Sequence, residues 1–262
     1  MIQWQRQGGA FDGCTVSAEQ GADAPDRPVF PLSHGVPRVD DRRIGSGDHL
    51  RDQAWADAAR DAPKDYGPHK TIYNRFIRWS RVGVFNRIFA ELAGKAEEPD
   101  RILIDATNLK AHRTTASLLK GGSSQTYRRT KGGLNSKLHA VCDGEGRPIV
   151  LLLTEGQMSD HKGTFLLLSA LSSARELLGD KGYDSDWFRA ALAERGITPC
   201  ITPRSNRTVQ YQNDKILYRQ RHKIENVFGR IKDWRRVATR YDRCAHTFMS
   251  ALSIAATVCY SL

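Results

Sequence analysis

The chain has 262 residues, 40% of them hydrophobic, enough to bury a sizeable core in one large domain or two small ones. Lys and Arg number 40 against 29 Asp and Glu, a formal charge of +11 that favours an acidic partner, either nucleic acid or an anionic membrane surface. No apolar run reaches the roughly 18 residues of a bilayer span, the N-terminus lacks the apolar middle of a signal peptide, and five scattered cysteines argue against a disulfide framework or a cysteine-rich zinc site.

The charge is unevenly placed. Residues 1–100 carry 14 basic and 15 acidic side chains, whereas residues 101–262 carry 26 and 14. Two windows dominate the second part. Lys110 to Lys137 holds seven Lys and Arg and no acid, interleaving Lys110, Arg113, Lys120, Arg128, Arg129 and Lys131 with glycines and hydroxyl residues. Arg219 to Arg243 holds nine against three acids. A charge run is ordinarily a solvated face, but small residues among the charges allow close approach to a phosphate backbone. Nucleic acid is therefore the expected partner. A membrane-surface role fits poorly, because neither window forms a basic amphipathic helix with an apolar insertion face.

In chain order, residues 1–34 show neither helical nor strand period and read as an irregular or disordered lead. Residues 69–93 place Ile72, Phe76 and Trp79 on one helical face and Val84, Ile88, Phe89 and Leu92 on a second, with a break at Ser80–Gly83. With Arg75, Arg78 and Arg81 facing outward, residues 35–98 read as a helical, helix-turn-helix-like DNA-binding region. A generic helical hairpin fits the same pattern. The stretch 97–100 (EEPD) reads as a linker. Strand patterns follow at 101–107, 136–143 and 147–154, then a helix over 161–173, a short run ending at Asp180, a helix over 184–195 and a strand near 197–203. A long helix over 214–234 and an apolar one over 245–260 complete the chain. The order βββαβαβ followed by helices is α/β: a mixed sheet flanked by helices, residues 101–262, behind a helical N-terminal region.

Asp105 and Asp180 each end an apolar strand, where open α/β sheets build their sites. Two carboxylates converging there repel unless a cation joins them, and hard oxygen donors suit Mg²⁺ or Mn²⁺. Alternatively, each caps a following turn. Tyr218, Arg221, Glu225 and Lys232 are spaced 3, 4 and 7 apart, which lines them along one helical face beside the apolar stripe Ile224, Val227, Phe228 and Ile231. Glu225 could complete a two-metal site, or simply pair with Arg221 at i, i+4. His112, His139, His161 and His222 are irregularly spaced and read as structural.

These residues resemble the DDE transposases of bacterial insertion sequences, specifically the insertion sequence 5 family. Its signature Y-x2-R-x3-E-x6-K is met by Tyr218, Arg221, Glu225 and Lys232, and ILIDAT and LLGDKGYDSD resemble its two aspartate blocks. PRSNR (203–207) and RYDR (240–243) also resemble it, as do GPHKTIYNRFIRWSR and RTKGGLNSKLHAV, so that the likeness covers about residues 63–262 and a short piece at 35–43. The resemblance implies an RNase H-like catalytic domain. It further implies two Mg²⁺ or Mn²⁺ ions on the catalytic carboxylates Asp105, Asp180 and Glu225, cleavage at terminal inverted repeats, and attack of the freed 3′ hydroxyl on target DNA. Arg221, Lys232, Arg235 and Arg236 would neutralise phosphate, Tyr218 would meet the DNA backbone, and the protein would act as a homo-oligomer on DNA in the bacterial cytoplasm, at the nucleoid. A metal-dependent nuclease on the same scaffold and a non-catalytic DNA-binding remnant or regulator are the alternatives.

One segment departs from the family. At residues 44–60 an apolar helix is expected, yet the chain reads IGSGDHLRDQAWADAAR. Codons permitted for Asp48 to Asp57, read one nucleotide on, can spell Ile-Ile-Tyr-Val-Ile-Lys-His-Gly-Leu. Compensating frameshifts are the hypothesis, and a coding sequence whose alternate frame lacks that helix would sink it.

Overall fold

A computed structural model describes residues 14–17, 68–94, 99–117, 128–130, 133–207, 211 and 214–261. The segment 44–60, with its inferred frameshift, and most of the lead lie outside them. One part of that lead departs from the irregular expectation, since β1 (Cys14–Ser17) is a strand, antiparallel to β5 (Pro148–Glu155). A four-residue strand has too little pattern to be read from sequence. It is specified by the backbone groups that the edge of β5 offers.

The helical pair is α1 (His69–Arg81) and α2 (Val84–Ala93). Pro68 starts α1 by accepting from Thr71 N and Ile72 N, and Gly83, at φ 70°, supplies the left-handed residue that turns the chain into α2. Ile72, Phe76 and Trp79 are buried as expected. On α2 the buried set is Val84, Phe85, Asn86 and Phe89, while Ile88 and Leu92 are only half-buried. Asn86 can be buried because its Oδ1 accepts from Ser253 Oγ at 2.9 Å, on α8 (Ala245–Ser261). Thus α1 and α2 do not stand apart: Phe76, Trp79, Phe85 and Phe89 share one core with the sheet and α8.

The sheet is built on β2 (Arg101–Ala111), with β3 (Arg128–Thr130), β4 (Gly133–Asp143) and β5 on one side, and β6 (Glu176–Gly179) and β7 (Thr198–Ile201) on the other. Its order is β1-β5-β4-β2-β6-β7. Strands β2, β4 and β5 run antiparallel to their neighbours in turn, whereas β6 and β7 run parallel to β2. The parallel crossovers carry α3 (Asp160–Leu167) and α4 (Asp186–Glu194). The β4–β5 turn is closed by Asp143 Oδ1, which accepts from Glu145 N and Arg147 N.

Side chains alternate across β2, β4 and β5, and both faces are covered. Leu103, Leu138, Ala140, Cys142, Leu151 and Leu153 pack with α8 and with α6 (His222–Lys232, preceded by the short helix α5, Lys215–Tyr218). Ile102, Ile104, Val141, Val150 and Leu152 pack on the other face against Leu167 of α3 and Phe188 and Leu192 of α4. Double burial explains why these strands read as nearly continuous apolar runs.

The helix expected over 214–234 is interrupted. Residues Arg219–Arg221 form a 3₁₀ turn between α5 and α6, and the short helix α7 (Arg235–Ala238) leads to β8 (Thr239–Arg240), parallel to the far end of β2. Among the described residues no helix is long and apolar enough to cross a membrane.

Candidate active site

The parallel pairing of β2 with β6 sets Leu103 opposite Leu178. Asp105 and Asp180 each lie two residues beyond that pair, so they emerge at the same end of neighbouring strands. Asp105 is the inner group, its side chain 13% exposed, with Oδ1 accepting from Ala106 N at 2.8 Å. Asp180 begins the 3₁₀ turn Lys181–Tyr183, and its Oδ1 accepts from Gly182 N at 2.7 Å.

Arg221 joins the second half of the chain to this end. Its Nη1 donates to Glu225 Oε1 at 3.0 Å, the i, i+4 pair, and its Nη2 donates to Asp105 Oδ2 at 3.2 Å across 116 residues of sequence. Burial raises the Asp105 carboxyl to about 6, against the pull of Arg221 and the Ala106 N–H, and Asp180 and Glu225 add to the rise. All three acids therefore act on one small region.

Among the described residues no three His, Cys, Asp or Glu side chains lie at coordinating separations, and Arg221 takes up the space between two of these carboxylates. The donor chemistry nevertheless fits a divalent cation. Three carboxylates at one end of the sheet are hard oxygen ligands, and a cation would relieve the repulsion that Asp180 and Glu225 exert on Asp105. The guanidinium performs that neutralisation here.

Of the other signature residues, Lys232 reaches this end of the sheet. Lys232, on α6, donates from Nζ to Thr107 Oγ1, two residues past Asp105, and burial lowers its ammonium pKa. Tyr218 is half-buried against the core at the end of α5. Lys110, Arg113 and Arg235 are exposed, as are Arg78 and Arg81 on α1. Arg75 is half-buried, 5.8 Å from the Trp79 ring centre. Arg128 and Arg129 lie on β3, and Lys120 and Lys131 fall outside the described residues.

Arg236, expected to meet phosphate, pairs with Asp242 at 2.6 and 2.8 Å and lies 4.5 Å from the Phe76 ring centre. Arg240 of the RYDR block is likewise internal, fully buried and donating to Ser136 Oγ at 2.6 Å and to Asp242 O at 2.8 Å. His139 is buried with Nε2 on Thr154 Oγ1, His112 stacks on Tyr241, and His222 Nδ1 bonds Arg219 O.

Sequence reasoning noted PRSNR but not its use. Asp184, whose side chain is fully buried, is held by Arg189 at 2.8 Å, by Arg207 at 3.0 Å and by Arg204 N at 2.8 Å. Arg204 also donates to Lys181 O and Gly182 O. This block therefore clamps the turn that carries Asp180. Burial raises the Asp184 carboxyl, but the Arg204 N–H and the two guanidiniums outweigh it and hold the pKa below the usual carboxylate value. The available sign was a DxD pattern and two arginines 20 residues away, which sequence spacing does not connect.

A mixed sheet flanked by helices, with carboxylates gathered where β2 and β6 end, is the RNase H-like architecture. The chain belongs to the family described as transposase DDE domain, which it matches over residues 96–260. It is 33% identical over 123 residues to a protein of Brucella ovis named as a transposase for insertion sequence element IS6501, covering 47% of this chain and 95% of that one. It is 29% identical over 158 residues to one of Burkholderia cepacia named for insertion sequence element IS402, covering 56% and 71%. In three dimensions it resembles the piggyBac transposase, solved in a synaptic complex with hairpin DNA. The TM-score is 0.54 at 11% identity, over 87% of this chain and 68% of that one, a likeness of fold. The chain is a bacterial DDE transposase of the insertion-sequence kind.

Proposed function

We propose that this protein, as a member of the insertion sequence 5 family, cuts DNA at the terminal inverted repeats of its own element and joins the freed 3′ ends to target DNA. Asp105, Asp180 and Glu225 are the residues that hold its divalent cations, two Mg²⁺ or Mn²⁺. When bound, such a pair supplies Lewis-acid activation of an attacking oxygen and charge stabilisation of a leaving one. The observation that carries this reading is the convergence of Asp105 and Glu225 on one guanidinium, with Asp180 at the matching position of the next strand.

The chain's own residues perform the rest. Asp105 is fixed by the Ala106 N–H and set deep, so it defines the floor of the site, while Glu225, 59% exposed, approaches from α6 on the solvent side. Arg221 is the counter-ion of Asp105 and Glu225, and with a cation held by those carboxylates its guanidinium would be available to a phosphate. Lys232 is anchored on Thr107 at the edge of the same site, and its ammonium would meet a phosphate there. The exposed Lys110, Arg113 and Arg235 add sequence-independent attraction, which weakens with salt. Arg75, Arg78 and Arg81 belong to the end-recognition region, residues 35–98, and the assembly on DNA is a homo-oligomer.

The test uses a labelled fragment carrying the element's own end, with Mg²⁺, comparing the wild type and Glu225→Gln. Cleavage with joining in the wild type, lost in the variant while DNA binding persists, is the expected result. Full-rate nicking by the variant refutes the site assignment. Cleavage without joining would instead indicate a nuclease.

A further inference from the structure

The acidic end of the sheet does not stop at these three residues. Asp160 opens α3, beside the cap that Ser159 Oγ makes with Lys162 N, and its Oδ1 lies 2.7 Å from Lys137 Nζ. Lys137 also donates to Met158 O at 3.2 Å, so this one ammonium ties the start of α3 to β4. The other carboxylate oxygen faces Gly182. A Cβ at Gly182 would lie 2.8 Å from Asp180 Oδ1 and 3.1 Å from Asp160 Oδ2. Asp160 and Asp180 therefore confront each other across the space a side chain would fill.

Tyr183 provides an independent sign. It is 1% exposed, and its phenol oxygen is buried without a hydrogen-bond partner. Burial holds the phenol protonated, reinforced by Asp160, Asp105 and Asp180 in that order. A buried hydroxyl donor left unmade is costly, and these three carboxylates are near enough to act on it.

We propose that Asp160 and Tyr183 are positioning residues for the Asp180 carboxylate, Asp160 from across Gly182 and Tyr183 from the core side, and that together they set the site's affinity for a divalent cation. This rests on the reading of Asp105, Asp180 and Glu225 as cation ligands. Asp160 adds negative potential beside the cation position, with Lys137 holding it in place. Tyr183 satisfies its hydroxyl when a carboxylate turns to meet a cation, so binding the ion also completes the buried network.

Mn²⁺ binding to the full-length protein, followed by electron paramagnetic resonance, tests the proposal, with thermal unfolding recorded on the same samples. Asp160→Asn is expected to weaken Mn²⁺ binding roughly 10-fold or more, the usual effect of losing a partner behind a ligand. Gly182→Ala leaves the Asp160–Lys137 pair intact but places a methyl 2.8 Å from Asp180 Oδ1, so it is expected to weaken binding similarly. Tyr183→Phe removes only the hydroxyl and is expected to give a smaller loss. If Asp160→Asn does not fold, Tyr183→Phe decides, because it leaves Asp180 itself untouched. Unchanged affinity in Tyr183→Phe and in any folded Asp160→Asn, or altered stability alone, overturns the proposal, provided Asp180→Asn loses Mn²⁺. Unchanged Mn²⁺ binding in Asp180→Asn overturns the metal-site reading itself.

Discussion

Asp105 is folded into a position that opposes its own ionisation. Its carboxyl titrates near 6 in the folded chain against 3.8 unfolded, so folding takes up a proton between those values. The group's contribution to stability is fully present below 3.8 and is lost as pH rises through about 6. At pH 7 the penalty amounts to about 3 kcal/mol with Arg221 already counted, an upper value because solvent screens it. Asp105→Asn is accordingly expected to raise the melting temperature of the metal-free protein at pH 7 while abolishing cleavage. Urea titrations at pH 4 and pH 7 would check it, since the wild-type–variant difference should shrink at the lower pH. An equal difference at both pH values would show that burial does not raise the Asp105 carboxyl as described. The site is thus held at some expense to stability, as expected where charges await a ligand.

At the scale of elements, the turn between β6 and α4 depends on a buried ion cluster. Asp184 receives Arg189, Arg207 and the Arg204 N–H, which fastens the segment after β7 to the Asp180 turn. Asp184→Asn leaves two guanidiniums short of their counter-charge and is expected to cost about 3–5 kcal/mol, the range for breaking a buried pair from one side. Equilibrium urea unfolding measures this, and a loss below about 1 kcal/mol, the surface-pair range, would contradict it. Strand and helix positions in this region were readable because β2, β4, β5 and α4 carry strong apolar patterns. The break at Arg219–Arg221 was not, since 3₁₀ and α-helical turns share nearly the same side-chain face over three residues.

At the scale of the whole molecule, the helical pair and the sheet share one hydrophobic core in the described structure. Trp79 packs edge-on to Phe85 with ring centres 5.9 Å apart, and both belong to the core that contains Phe248, Met249 and Leu252 of α8. Trp79→Ala is therefore expected to destabilise the entire fold by about 3–5 kcal/mol. Circular dichroism and tryptophan fluorescence should report one shared transition in wild type and variant. Two separated transitions would mean that α1 and α2 are an independent domain after all. The basic surface acts at the same scale, because exposed Lys110, Arg113 and Arg235 combine their fields along the end of the sheet rather than through any single contact.

The amino-acid sequence by itself determined the order of the longer strands and helices between residues 101 and 203, though not the short strand β3 or, further on, β8, and with it Asp105 and Asp180 as strand-end acids. Hydrophobic periodicity is local and survives without knowledge of partners. It also determined the Tyr218, Arg221, Glu225 and Lys232 set, because fixed spacing is a one-dimensional signal. Only the tertiary structure decided which charges face solvent and which are consumed internally. Arg236 and Arg240 look like Lys110 and Arg235 in sequence, yet Asp242, Ser136 and the Phe76 and Phe248 rings claim them. Likewise, Asp160, Tyr183 and the Asp184 cluster meet their partners across crossovers and sheet faces. Electrostatic pairing falls off over a few ångströms of space, and linear separation along the chain carries no information about that distance.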